Sequence, residues 1–147
     1  MTDTTRGALS EPAVIRRVLT TPATWAVVGL STDATRTAYD VARWMHEALQ
    51  LRIIPVHPNA EEVWGEQGYP NLTAIPDGTV VPVVDFFINS SRVGDVVDEA
   101  IRNKDRLKIE TVWLQLGVID VAAAQRAVNA GLDVVMDTCP MIEYPKL

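Results

Sequence analysis

Short apolar runs alternating with longer amphipathic stretches constrain this chain more than any other feature of its sequence. The runs fall at residues 25–30, 52–56, 83–88, 109–115 and 132–136. They are rich in valine and isoleucine and poor in charge, as strands covered on both faces are. Between them, residues 39–50 gather Val41, Ala42, Met45, Ala48 and Leu49 on one helical face. Residues 91–102 do the same with Val93, Val96, Val97, Ala100 and Ile101. Asp120 is placed to cap a helix that runs to Ala130, and Gly131 is a fitting stop. Strands separated by helices at this spacing imply an α/β fold: a parallel sheet with helices on both faces, doubly wound, in a single domain. Right-handed crossovers favour the strand order 3-2-1-4-5-6. A brief third strand is expected at residues 67–69, and a helical turn at residues 72–75. Pro55 is awkward inside the second strand because it donates no ladder hydrogen bond. It suggests a strand end or irregular pairing there.

Residues 1–9 are polar and small and read as a flexible N-terminus, with the domain over residues 10–147. Ser10 is expected to cap a short helix with Glu11 and Pro12 in its first turn. Val14, Ile15, Val18 and Leu19 then share a face, and Thr20, Thr21 and Pro22 end it. The net charge of −6 argues against nucleic acid as the main partner, since phosphate backbones need a basic face. Cys139 is the only cysteine, so no intramolecular disulfide or cysteine-based zinc cluster can form. His46 and His57 lie on different expected elements, which gives a metal site no support. No apolar run reaches the ~18 residues of a membrane span, and no signal peptide is evident. The expected location is the cytoplasm. A protein partner is not identified, and a homo-oligomer is admitted.

In a sheet of this kind, ligands bind beyond the carboxyl ends of the strands, near the switch in strand order. Those ends are Gly29-Leu30-Ser31, His57-Pro58-Asn59, Phe87-Ile88-Asn89 and Gln115-Leu116-Gly117. The first is followed by a polar loop with Arg36 and then a helix. A hydroxyl, a guanidinium and helix N-terminal N–H groups together suit a phosphate. Yet the three spaced glycines of a Rossmann dinucleotide site are missing, and only Gly29 stands there. Gly29 reads equally as a tight turn or as a point of ligand approach. The second strand of such sites usually ends in an acidic residue that binds ribose hydroxyls. Here His57, Pro58 and Asn59 stand instead, which counts against NAD. Asn59 reads equally as a cap for the following turn. A glutamine at a buried strand end, Gln115, needs hydrogen-bond partners from a loop or a ligand. Asp137 and Glu143 offer a carboxylate pair without geometric support. No helix start or clustered base activates Cys139 as a nucleophile. Trp25, Trp44, Trp64 and Trp113 read as packing residues.

These segments resemble the small stand-alone CoA-binding proteins, whose Rossmann-like fold is similar to the N-terminal domain of the succinyl-CoA synthetase α subunit. The resemblance rests first on Ala26-Val-Val-Gly-Leu-Ser31 with Arg36 and Tyr39-Asp-Val-Ala-Arg43. It continues through Arg52-Ile-Ile-Pro-Val-His-Pro-Asn-Ala60, Tyr69-Pro-Asn-Leu-Thr-Ala-Ile-Pro76 and Val83-Val-Asp-Phe-Phe87. It ends in Val112-Trp-Leu-Gln-Leu-Gly117 and Val134-Val-Met-Asp137 with Cys139 and Glu143. It implies coenzyme A or an acyl-CoA as the nucleotide ligand, with contacts from Gly29, Leu30, Ser31, Arg36, His57, Pro58 and Asn59. Further contacts are implied from Phe87, Ile88, Gln115, Leu116 and Gly117. The first loop and Arg36 would hold the pyrophosphate, and the second-strand end would lie near the adenosine. The chain departs from the family where arginines usually follow Phe87, since Ile88 and Asn89 stand there. It departs again at residues 138–141, where Thr138, Cys139, Pro140 and Met141 replace a more basic pattern.

The expectation is therefore a CoA-binding module with no catalysis of its own and no metal. Two alternatives stand beside it: an NAD(P)-binding oxidoreductase, and a scaffold that kept the fold and lost the ligand.

Overall fold

The computed structural model describes residues 9–147. Residues 1–8 of the expected flexible segment lie outside the described residues. Leu9 already pairs with Val134 through a single parallel bridge. The elements run in the order α1 (Pro12–Thr20), β1 (Thr24–Val28), α2 (Thr37–Ala48), β2 (Arg52–Val56), a 3-10 turn (Leu72–Ala74), β3 (Val83–Phe86) and α3 (Ser90–Leu107). They continue with β4 (Thr111–Leu114), α4 (Val121–Asn129), β5 (Asp133–Val135), α5 (Pro140–Glu143) and a closing 3-10 turn (Tyr144–Lys146). No helix among the described residues is long and apolar enough to cross a membrane.

All strands pair in parallel in one sheet, ordered β2-β1-β3-β4-β5. The sheet is doubly wound as expected, but among the described residues it has five strands rather than six. The expected extra strand shrinks to one residue on the outer side of β2. There Tyr69 bridges Val56, with the Tyr69 N–H donating to Pro55 O at 3.1 Å and the His57 N–H donating to Tyr69 O at 3.0 Å. Pro70 ends the pairing on one side. On the other, Gly68 lies so close to the Glu61 carbonyl that a Cβ would collide with it. The expected order survives if Tyr69 is counted as the third strand.

Pro55 corrects a second expectation. It lies inside β2, in continuous register with Val27. Its carbonyl faces Tyr69, so its missing N–H also faces the outer edge and costs the β1–β2 ladder nothing. Ser10 is a third correction. The residue before α1 is Glu11, and its side chain makes no capping bond. Ser10 instead adopts a positive φ of 49° and ties the chain to β5, its N–H donating to Val134 O at 2.5 Å and its Oγ accepting from the Met136 N–H at 3.1 Å.

The strands alternate cleanly between two covered faces. Ala26, Val28, Ile54, Val56, Val84, Phe86, Val112 and Leu114 pack under α3, α4 and the Leu72 turn. Trp25, Val27, Ile53, Val83, Trp113 and Val135 pack under α1 and α2, together with Cys139. Parallel strands buried on both faces cannot show polar alternation, which is why they read as continuous apolar runs. α3 extends five residues beyond its expected end, because its last turns have work on the fold. Leu107 is buried, and the Arg106 guanidinium donates to the carbonyls of Leu72, Thr73 and Ile75 and to Asp77. Lys108 closes the helix in the left-handed conformation.

Candidate functional site

Every crossover helix returns the chain to the amino end of the sheet, so all the strand-end loops gather at the carboxyl edge. They enclose a groove of about 1220 Å³. That exceeds the roughly 300–1,000 Å³ common for drug-sized ligands. Gly29, Ser31 and Arg36 line it from the β1–α2 loop, His57, Pro58 and Asn59 from the end of β2, Phe87 and Ile88 from the end of β3, and Gln115, Leu116 and Gly117 from the end of β4. Leu30 is the exception among the residues expected there. It is fully buried in the α2-side core, so its side chain offers the groove nothing.

The loops are cross-tied by backbone bonds that continue the ladder past the strands. Gly29 N–H donates to Val56 O at 2.7 Å, Phe87 N–H to Val28 O at 2.8 Å and Gln115 N–H to Phe86 O at 3.2 Å. Gly29 has a φ of 102°, and a Cβ there would collide with the Phe87 carbonyl oxygen. The fold itself therefore demands glycine at this position. Gly117, with a φ of 83°, has open space where its Cβ would be. Its N–H is held by Asp137 Oδ1 at 2.8 Å.

The β1–α2 loop is prearranged by its own side chains. Ser31 Oγ accepts from the Asp33 N–H at 3.2 Å, and Asp33 Oδ1 accepts from the N–H and hydroxyl of Thr35 at 3.0 and 2.5 Å. The Thr35 bonds, helped by Arg36 at 3.5 Å, hold the Asp33 carboxyl below its ordinary pKa. Glu61 crosses from the loop after β2 to take the Thr32 hydroxyl at 2.9 Å and the Thr32 N–H at 3.4 Å. At the end of β2, His57 Nδ1 accepts the Asn59 N–H at 3.1 Å. In a neutral ring this places the imidazole proton on Nε2. Asn59 is thus the donor in a local turn rather than its side-chain cap. Gln115 is only 4% exposed, and its side-chain oxygen has no hydrogen-bond partner.

Other candidate features separate from one another. Glu143 pairs with Lys146 at 3.2 Å while Asp137 holds Gly117, so the two carboxylates serve different structural bonds. Cys139 is buried and lines the groove. The tryptophans lie away from the groove. Trp25 and Trp113 meet in the core with centroids 5.7 Å apart, Trp64 stacks on His46 at 5.5 Å, and Trp44 meets Tyr144 at 5.7 Å.

Several lining residues escaped the reading of strand ends: Thr32, Asp33, Glu61, Asn71, Arg92 and Glu99. Arg92 had a legible signal. Asn89 caps α3, its Oδ1 accepting from the Ser91 N–H at 2.8 Å. Arg92 therefore lies in the first helical turn at the carboxyl edge of the sheet.

A model of the CoA binding domain matches residues 23–145. The chain belongs to the CoA binding domain family. The family's fold recurs in solved structures. A hypothetical protein from Pyrococcus horikoshii OT3 is 32% identical, with a TM-score of 0.82 over 100% of this chain and 99% of that one. Cell-free ID.343 from Thermus thermophilus is 29% identical, with a TM-score of 0.80 over 92% of this chain and 98% of that one. The dinucleotide-forming acetyl-coenzyme A synthetase 1 of Ca. Korarchaeum cryptofilum is 21% identical, with a TM-score of 0.65 over 82% of this chain and 27% of the synthetase. That last likeness is one of fold.

Proposed function

We propose that the groove binds coenzyme A or an acyl-CoA and that the chain performs no catalysis of its own. One observation carries the reading. Eleven residues nominated from four separate strand ends line a single groove, in a chain whose family is that of the CoA binding domain. The diphosphate lies against Ser31 and Arg36, beside the start of α2, where N–H groups and a guanidinium favour an anion. The adenosine lies by His57, Pro58 and Asn59. The pantetheine arm runs over Phe87 and Ile88 toward Gln115, Leu116 and Gly117, where the amides of the arm can answer the unpartnered Gln115 carboxamide.

The absence of a catalytic role rests on pairing. Catalysis by a nucleophile needs a base within hydrogen-bond reach. His57 Nδ1 already accepts the Asn59 N–H, and His46 Nδ1 faces Leu51 O at 3.3 Å. Neither is bonded to a hydroxyl or thiol among the described residues. An NAD(P) reading gains nothing from the end of β2, since Glu61 is committed to Thr32 rather than presented to a ribose. Isothermal titration with CoA, acetyl-CoA and NAD tests the proposal. Heat with the CoA species and none with NAD is expected. No heat with either CoA species at high micromolar protein would sink it and leave the scaffold alternative standing.

A further inference from the structure

Besides the buried Cys139 thiol, six ionisable side chains line the groove, and five of them are engaged. Asp33 and Arg36 pair with each other, Glu61 holds Thr32, His57 holds the Asn59 N–H, and Glu99 takes the N–H groups of Leu72 and Thr73 at 3.2 Å. Arg92 has no side-chain hydrogen bond or ion pair among the described residues, although it is exposed in a protein of net charge −6. Elsewhere Arg52 pairs with Glu66 and Arg126 with Asp98, each at 2.8 Å, while Arg16, Arg43 and Arg102 make no ion pair among the described residues, and of these unpaired arginines only Arg92 lines the groove. A guanidinium left without a counter-charge inside a groove suits an anion delivered by a ligand.

Its place narrows which anion. Arg36 enters from the face covered by α2. Arg92 enters from the opposite face, covered by α3. Arg92, Val96 and Glu99 form one stripe along α3 at i, i+4 and i+7, and all three line the groove. Glu99 bonds the turn that directly follows Asn71, so the stripe runs beside Pro70 and Asn71 at the adenosine side. Two guanidinia on opposite walls fit a ligand with two separated anionic groups better than one with a diphosphate alone. We infer that Arg92 receives the 3′-phosphate of the ribose while Arg36 serves the diphosphate, so that the groove selects 3′-phosphorylated CoA over dephospho-CoA. This deepens the proposed function and rests on it.

The test is titration of the full chain with CoA and with dephospho-CoA, for wild type, Arg92→Gln, Arg92→Lys and Arg36→Gln. Wild type is expected to prefer CoA by about tenfold or more, the worth of one charge-assisted hydrogen bond. Arg92→Gln should abolish that preference by weakening CoA, and Arg92→Lys should restore part of it. Arg36→Gln should weaken both ligands and keep their ratio. Melting curves of the free variants matching wild type show that the fold is intact. If wild type binds both ligands equally, or Arg92→Gln keeps the wild-type ratio, this inference fails while the groove stands as a CoA site. If wild type binds neither, both readings fall.

Discussion

Asp85 sits at the centre of β3 with no exposed surface, and neither carboxyl oxygen has a hydrogen-bond partner. Trp25 Nε1, on the same side of the sheet, is equally without one. Burial pushes the Asp85 carboxyl well above its ordinary pKa, because the charged form loses its hydration. The nearby Phe86 N–H offsets this only in part. The sign for stability follows. The folded protein holds a proton on Asp85 where the unfolded chain has lost it, so stability is complete below about pH 3.9 and falls as pH rises toward the elevated folded value. Within that window the loss is about 1.4 kcal/mol per pH unit, or about 3–6 °C in Tm for a domain of this size. Asp85→Asn removes the ionisation. Its melting temperature is expected to match wild type near pH 4 and to exceed it increasingly as pH rises from there toward the elevated folded value. Parallel Tm-against-pH curves would refute this. In the sequence Asp85 is one polar letter in a strand-like run, and its isolation became visible only through the layers that close over it. Gly29 was likewise open to two readings, and the Phe87 carbonyl packed against it decides for the backbone. Leu30 was nominated by its neighbours, yet past the positive-φ turn at Gly29 it packs into the α2-side core, against the alternation of β1.

Elements were legible wherever their signals are local. The Asp120 cap was readable because a carboxylate before an apolar helix accepts an N–H two or three positions on. Here it accepts from the Ala123 N–H at 3.0 Å. Asp120→Ala should lower stability by about 1 kcal/mol, seen as a reduced urea midpoint at unchanged m. CoA affinity should stay unaltered, since α4 supplies no residue to the groove. Signals that depend on a distant partner were not legible. Ser10 looks like a cap but serves β5, over 120 residues away in sequence. The end of α3 reads as a polar run, yet Arg106 needs it in order to hold the carbonyls of the 72–75 turn. Pro55 was an obstacle until its edge position showed that the ladder never uses its nitrogen. Arg92 lies past the strand end, in the first turn of α3, where helical geometry brings the chain back over the same edge.

At the scale of the whole molecule, the sheet and its ligand form one thermodynamic system. The groove is built from the ends of four strands, so a molecule bound there bridges the central strands and both helical layers. A ligand held only by the folded state stabilises it by about 2.7 kcal/mol at a concentration of 100 Kd. CoA at that level should therefore raise Tm by about 5–10 °C, read by differential scanning fluorimetry or calorimetry. NAD at the same concentration should leave Tm unmoved. Equal shifts with both would show that the groove recognises adenosine diphosphate alone.

The sequence by itself determined the class of this protein. Apolar periodicity, valine-rich runs and crossover spacing are local properties, and they leave a parallel, doubly wound sheet as the arrangement that buries every run. Only the tertiary structure decided which strand-end residues face the groove and which face the core. It also set Arg36 and Arg92 at the starts of helices on opposite faces of the sheet, committed Glu61 and Asp33 to the loop, and left the Asp85 carboxyl oxygens without a partner. These outcomes depend on side chains far apart in the chain meeting at one edge or under one layer. No local pattern encodes that meeting, because desolvation and charge pairing are set by neighbours in space.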